Sequence, residues 1–502
     1  MPVLLTASTW QAPTIDYHAL APFIVLTAVI VVMIVVDLFA GRDAKGALSS
    51  LAGIGLLATA IPLITLAVHG TDRSMFGGAF VVDHFARVLD GIFVVAGYIV
   101  VLLSTNYIAE GDYWEGEYYI LLLSSVLGMM VMASARDLVT IFVALELLSV
   151  PAYMLAAFRK RDLRSNEAGL KYYLMGVFAS AIMLYGMSLI YGFTGSTVLV
   201  EIGKQVNHLG SSKPIVTLAI VFMIIGFAFK VSAVPFHTWA PDTYEGAPTP
   251  VAAFLATASK TAGFVALMQL IFVGFFGRHN IYEPLMWALA AASMTVGNLI
   301  ALRQTNVVRM LAYSGIAQAG YIMAPLAVAG SSGPVGADAL RAIVTYLAIY
   351  VVMNLGAFAV VIAVARKTRS AELTSFSGLF EYAPGLAVAM LFFLASLAGI
   401  PPMAGWFAKF LIFRTLVAPG TTAGYVLALV VGVNSVIALF YYLRVARYMF
   451  FEPAPDGDVT PIRVPVSLTV ALVLTVGVTL IWGVFPAAVT HFTDTVHLAL
   501  GR

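Results

Sequence analysis

Residues 226–264 read GFAFKVSAVPFHTWAPDTYEGAPTPVAAFLATASKTAGF. The stretch is apolar enough to lie in a membrane, yet Lys230, His237 and Lys260 sit in it among four prolines. A charged side chain at the bilayer centre costs at least roughly 2.5–3.5 kcal/mol, and such groups face a protein interior or a water path. Pro235 withholds a backbone donor and crowds the preceding turn, so a helix through Lys230 is expected to break there. A broken helix persists at membrane depth only where its freed backbone groups meet protein or water. A break beside a buried cation therefore points to ion handling.

The rest of the chain supplies the membrane setting. Of 502 residues, 61% are hydrophobic and 10% charged, and the mean hydropathy is +0.96. Soluble domains carry about 25% charged residues, so this is an all-α polytopic membrane protein with no sizeable soluble domain. The net charge of +2 says less than where the charges stand. With no cysteine, the chain offers no thiolate for an iron–sulfur cluster and no disulfide. No Gly-rich dinucleotide fingerprint follows a strand pattern, and no strand pattern is visible. The first residues lack a basic n-region and read as a mature terminus rather than a cleaved signal.

A span needs about 20 apolar residues. Fourteen are expected, at 20–40, 47–69, 84–106, 117–134, 137–158, 168–193, 214–245 (broken), 248–275, 281–301, 308–330, 339–365, 385–416 (broken), 422–450 and 464–488. Between spans six and seven, VLVEIGKQV is expected to form a short interfacial helix, and 366–384 is a second long connection. With the N-terminus outside, fifteen Lys and Arg fall on the cytoplasmic side and nine outside, Arg42, Lys45 and Arg502 among those counted. That excess predicts both termini outside.

The sequence also echoes itself. The break at Val234-Pro235 recurs at Ile400-Pro401-Pro402, and AYML (152–155) recurs as GYIM (320–323), 168 positions on. Five spans separate the two broken ones, so the halves cross in opposite directions. Paired interrupted helices in an inverted repeat are the architecture of many secondary transporters. The expected division is residues 1–116 for helices 1–3, 117–275 for a first five-helix repeat, 281–450 for a second, and 464–502 for helix 14 and the tail.

Four further readings concern chemistry. Glu146 lies mid-span in IFVALELLSVPAYML, Lys230 and Lys260 lie mid-membrane, and Lys409 follows the second break by eight residues in GIPPMAGWFAKFLIF. An amine in apolar surroundings titrates closer to neutral pH than a solvated one. Such a row, with a glutamate at one end, can pass protons; the alternative is a static Glu146–Lys230 pair, and Lys409 could instead snorkel to the interface. At about 1.5 Å per residue Lys409 is expected roughly 12 Å past the break, toward the outer side. His237 reads equally as a relay residue or as a ring satisfied by a freed carbonyl. Asp242 and Glu245 read as helix-end caps. The basic loop 158–171 reads as a topology signal or a contact with anionic lipid. No spacing suggests a metal site.

The stretch PFHTWAPDTYEGAPTPVAAFLATASKTAGF resembles the signature of the antiporter-like membrane subunits of proton-pumping NADH–quinone oxidoreductase, respiratory complex I. TYEGAPTPVAAFLATASK is most similar to the subunit N branch, and RQTNVVRMLAYSGIAQAGYIM (303–323) and SLAGIPPMAGWFAKF (396–410) extend the likeness. The resemblance implies fourteen helices with two inverted five-helix repeats. It matches Glu146, Lys230, Lys260 and Lys409 to the family's buried glutamate and lysines. The subunit M branch has a glutamate where Lys409 stands. At Tyr313 and Ser314 the second repeat has no carboxylate to match Glu146.

By resemblance the chain is a proton-translocating subunit of a bacterial plasma-membrane complex. NADH, FMN, iron–sulfur clusters and quinone would be held by other subunits, with neighbouring antiporter-like subunits and membrane lipid as partners and no nucleic acid. Three alternatives stay open at this point: a subunit of a multi-subunit cation/proton antiporter, a membrane scaffold that moves nothing, and a related oxidoreductase that uses a different electron donor.

Overall fold

The computed structural model describes residues 15–40, 46–111, 113–208 and 213–498. The N-terminal stretch, Arg42, Lys45 and Arg502 lie outside the described residues.

Helices occupy all fourteen expected spans. The first six are α1 (Tyr17–Ala40), α2 (Ala47–His69), α3 (His84–Ala109), α4 (Glu115–Ser134), α5 (Leu138–Ala156) and α6 (Leu163–Thr194). The interfacial helix α7 (Leu199–His208) follows. The first broken span is α8 (Pro214–Lys230) with α9 (Trp239–Gly246). Then come α10 (Thr249–Gly274), α11 (His279–Ala301), α12 (Val307–Met323), α13 (Gly333–Thr368) and the short α14 (Leu379–Tyr382). The second broken span is α15 (Pro384–Ala398) with α16 (Ala404–Val417). The chain continues through α17 (Thr422–Phe451), α18 (Val466–Val484) and α19 (Ala487–Thr493). Eleven helices among the described residues are long and apolar enough to cross a membrane, and α8 and α15 are shorter apolar halves.

The helix starts follow from local chemistry. Asp83, Asp137, Asp162, Asn306, Ser332 and Thr421 each turn a side-chain oxygen onto a free amide of the first turn. A cap of this kind contributes about 1 kcal/mol. One element was not expected. Arg73–Met75 and Phe80–Val82 form a small antiparallel hairpin, β1 and β2. Strands of three residues are too short to show an alternating pattern in sequence. The hairpin marks one end of the bundle, called here the hairpin end; Arg159, Arg309, Arg366 and Arg444 mark the other, the basic end.

α10 and α13 are buried along the whole of their apolar windows. A helix that is apolar on every side belongs in a core, and these two form the centre on which the others pack. α10 is not a regular helix. It is α-helical over Thr249–Phe254, opens into a π turn at Leu255–Ser259, resumes at Lys260 and ends in a second π turn at Leu270–Gly274. π turns concentrate at functional sites.

Both breaks close on themselves. After α8, the Phe229 carbonyl accepts from the Trp239 indole at 3.1 Å, and the Val234 amide donates to Ser293 Oγ at 2.9 Å. After α15, the Gly405 amide donates to Ser396 Oγ at 3.0 Å, and the Gln318 amide nitrogen donates to the Leu397 carbonyl at 3.1 Å. The echo extends to the turns: Asp137 and Asn306 cap corresponding helices, and each also makes an isolated bridge, to Val198 and to Glu372.

Candidate functional site

Lys230 is the last residue of α8, where the helix stops because Pro235 cannot continue it. It is 4% exposed. Its Nζ donates to Ser149 Oγ of α5 at 2.9 Å and to the Tyr172 hydroxyl of α6 at 3.1 Å. The Tyr172 ring is fixed by stacking on Trp239 at 4.4 Å and by an edge contact with Tyr153 at 4.6 Å. Gly263 of α10 leaves room for the lysine stem: a Cβ there would stand 3.0 Å from Lys230 Cγ.

Glu146 is half-buried on α5 and accepts from Ser180 Oγ at 2.8 Å. Among the described residues it makes no direct ion pair with Lys230. The two are joined through α5, because Glu146 and Ser149 are three residues apart and share a helix face. Lys230 is therefore bonded to a hydroxyl one turn along α5 from the glutamate. Ser149→Ala is expected to leave Lys230 with one acceptor fewer. A hydrogen bond to a charged group is worth about 1.5–3 kcal/mol, so the melting temperature of the assembled complex should fall and pumping should weaken; differential scanning fluorimetry with a vesicle assay checks both.

Lys260 begins the α-helical stretch after the first π turn and is 1% exposed. Its Nζ donates to the Gly315 carbonyl of α12 at 2.8 Å. A Cβ at Gly315 would lie 3.1 Å from both Lys260 Nζ and the Tyr350 hydroxyl. The absence of a side chain there lets the ammonium reach the backbone. So the segment that lacks a carboxylate at Tyr313 and Ser314 receives Lys260 with a carbonyl instead.

Lys409 departs from expectation. α16 resumes only at Ala404, and the lysine reaches back to donate to the Ala398 carbonyl at the end of α15, at 2.8 Å. Its ammonium also lies 4.6 Å from the centre of the Tyr321 ring. Side chains on a helix lean toward its N-terminus, and a cation is favoured at a helix C-terminus. Lys409 is 8% exposed, so it is held at the break itself, neither displaced 12 Å beyond it nor snorkelling outward.

Between Lys260 and Lys409 lies a buried polar network that sequence reasoning missed. Ser314 Oγ bonds the Tyr442 hydroxyl at 2.6 Å. The Tyr346 hydroxyl donates to Gln318 Oε1 at 2.5 Å, and Gln318 bonds both Tyr442 at 3.4 Å and the Leu397 carbonyl beside Ala398. Asn354 donates to the Tyr350 hydroxyl at 3.1 Å. The signal was present as single polar residues inside apolar spans, Gln318 and Asn354 above all.

His237 lies in the first break, half-buried, with Nδ1 unpartnered among the described residues. No hydrogen bond joins it to the lysines. Asp242 and Glu245 do not cap helices. Asp242 accepts from Lys171 at 2.8 Å and from Arg309 at 2.7 Å, and Glu245 from Arg309 at 2.9 Å. Opposite charges brought together by α6, α9 and α12 outcompete the free amides. Of these residues Glu245 lines a cavity of about 610 Å³ at the basic end, together with Tyr244, Arg164, Arg366 and Glu372.

The family model described as NADH:quinone oxidoreductase/Mrp antiporter, transmembrane, matches residues 135–438, which takes in both breaks and Glu146, Lys230, Lys260 and Lys409. NADH-quinone oxidoreductase subunit N of Trichlorobacter lovleyi is 40% identical over 96% of this chain and 97% of its own length. The chain belongs to the subunit N branch of the NADH–quinone oxidoreductase family. Subunit N of Chloroflexus aggregans is likewise 40% identical, over 97% of this chain and 99% of its own. A chain of respiratory complex I from Thermus thermophilus with bound aureothin superposes with a TM-score of 0.78 at 32% identity, covering 94% of this chain and 99% of that one. The Mrp complex of Dietzia shares the fold, with a TM-score of 0.82, at 20% identity. As a subunit N, this chain is a multi-pass membrane-arm component of an NADH–quinone oxidoreductase and works among that complex's other subunits.

Proposed function

We propose that this subunit N translocates protons through the buried series Glu146, Lys230, Lys260 and Lys409, driven by quinone reduction elsewhere in the complex. The observation that carries the reading is the chemistry of the acceptors. All three lysines are buried, and each ammonium is held by neutral oxygens: hydroxyls for Lys230, backbone carbonyls for Lys260 and Lys409. An amine locked to a carboxylate keeps its proton; an amine held by neutral dipoles in a dry interior can give it up, and its charge then alters the next site. The Ser314–Tyr442–Gln318 network supplies hydroxyls and amides between the second and third lysines. His237 is a side member, able to exchange a proton with the break but not bonded to the series.

In this reading the division is 1–116, 117–275, 281–450 and 464–502. The basic end is cytoplasmic and both termini lie outside, in the bacterial plasma membrane. Half-buried Glu146 faces a neighbouring antiporter-like subunit, and lipid covers the remaining apolar surface. NADH, FMN, iron–sulfur clusters and quinone belong to other subunits.

Glu146 sets the test. Glu146→Ala removes the only carboxylate of the series and the acceptor of Ser180. The assembled complex in vesicles should pump fewer protons per NADH while NADH oxidation with a soluble artificial acceptor stays normal. Glu146→Asp should recover part of the loss. Equal pumping in Glu146→Ala and the parent complex, with normal assembly, rules the series out.

A further inference from the structure

The geometry points to a proton-releasing carboxyl outside that series: Asp90 of α3, controlled by an ion pair between Asp83 and Arg136 at the outer face. The inference rests on the proposed direction of transport, basic end to hairpin end.

Asp90 is fully buried, and neither carboxyl oxygen has a hydrogen-bond partner among the described residues. An ionised carboxylate in such a place is costly, and the group neutralises itself by holding a proton. Seven residues earlier, about 10 Å along the helix, Asp83 caps α3 and accepts from Arg136 Nη2 at 2.7 Å. Arg136 is 4% exposed, and Nη1 also donates to the carbonyls of Ala133 and Ala135 at 2.9 and 3.0 Å. Gln269 of α10 donates to the same Ala133 carbonyl at 2.9 Å. Its Oε1, and Ser134 Oγ nearby in the chain, are buried and unpartnered among the described residues. Gln269 stands nine residues outward from Lys260 on one helix. Polar groups thus continue from the lysine toward the hairpin end, where the ion pair closes them off.

The charged groups acting on Asp90 are Asp83 and Arg136. α2, α4, α10, α13 and α18 pack against α3; within their membrane-buried stretches they bring only Lys260, Arg341 and tyrosines as titratable groups. Arg87, one turn earlier on α3, gives its guanidinium to the Thr71 carbonyl and to Asp72, which leaves Arg136 as the cation placed to decide whether Asp90 can ionise. While it is paired with Asp83, Asp90 keeps its proton. When its guanidinium turns inward, the Asp90 O–H bond breaks, the proton leaves to the outer side, and the carboxylate pairs with Arg136 while Asp83 keeps its bond from the Ala86 amide. Lys260 in its protonated form then returns a proton to Asp90, and Arg136 goes back to Asp83. Charge is conserved at each step.

The test uses the assembled complex in vesicles. Asp90→Asn keeps the volume and cannot release a proton. It should slow proton release on the order of 10²–10⁴-fold, with NADH oxidation by an artificial acceptor unchanged, and Asp90→Glu should restore release. Infrared difference spectra during turnover should show a protonated-carboxyl band that disappears in Asp90→Asn. Should Asp90→Asn misassemble, the same band in the parent complex after isotopic labelling of aspartate decides the matter. A band that never changes during turnover, or full release in Asp90→Asn, makes Asp90 a neutral filler and overturns the proposal. If Lys260→Met abolishes pumping while Asp90→Asn leaves it intact, the lysine series stands and only the release site fails. If both pump normally, the series fails first.

Discussion

Lys260→Met is expected to produce a complex that is at least as stable as the parent and moves far fewer protons. The two effects have one cause. Lys260 is 1% exposed and its charge meets a single backbone carbonyl. Methionine has nearly the same length, needs no polar partner and suits the apolar surroundings of α10. Replacing buried charges by well-packed apolar groups is neutral or stabilising by about 1–4 kcal/mol. The Gly315 carbonyl keeps its place in α12, so little is left unsatisfied. Transport has no such substitute, since a thioether binds no proton. Losing a proton donor of this kind costs on the order of 10²–10⁴-fold in the step it serves. Thermal denaturation of the purified complex and proton movement in vesicles read the two effects separately. A static, structural lysine would leave pumping intact in Lys260→Met.

The second large effect is expected at Gly399. This residue ends α15 with φ near 88°, and a Cβ on it would stand 2.8 Å from Lys409 Cδ. Gly399→Ala pays twice: roughly 1–2 kcal/mol for the left-handed backbone, and about 1–3 kcal/mol for the overpacked contact. The lysine is the softer partner and moves, leaving the Ala398 carbonyl without its cation. Gly70 provides the control. It ends α2 with φ near 67° and has nothing within 4 Å of its Cβ position. Gly70→Ala should show the backbone cost alone and pump normally. Gly399→Ala should be less stable by the difference and should also lose pumping, because Lys409 no longer sits at the break.

How much of this was legible beforehand differs between parts of the molecule. The spans were, since twenty apolar residues between loops leave few choices, and so were the breaks, since proline at membrane depth dictates one. The lysines were visible as charges where charge is costly. What could not be read was where each ammonium points. Lys409 was placed by counting along a helix, but its long side chain turns back to a carbonyl that exists only because the helix breaks. The sequence left open whether Glu146 and Lys230 form a static pair, because Ser149 and Tyr172, which stand at the lysine, could not be picked out in advance. Serine and tyrosine inside an apolar span are too common to single out. Asp242 and Glu245 were assigned to caps because the partners that claim them, Lys171 and Arg309, come from other helices. The π turn before Lys260 leaves no mark in LATAS at all.

The most direct test of the central claim is the number of protons moved per NADH oxidised. It should be measured in vesicles holding the assembled complex, for the parent and for Glu146→Ala, Lys230→Met, Lys260→Met and Lys409→Met in parallel. The account predicts a lowered ratio in all four, with NADH oxidation by a soluble acceptor unchanged and the full set of subunits present. An unchanged ratio in the three lysine variants, in a complex that assembles normally, would contradict it.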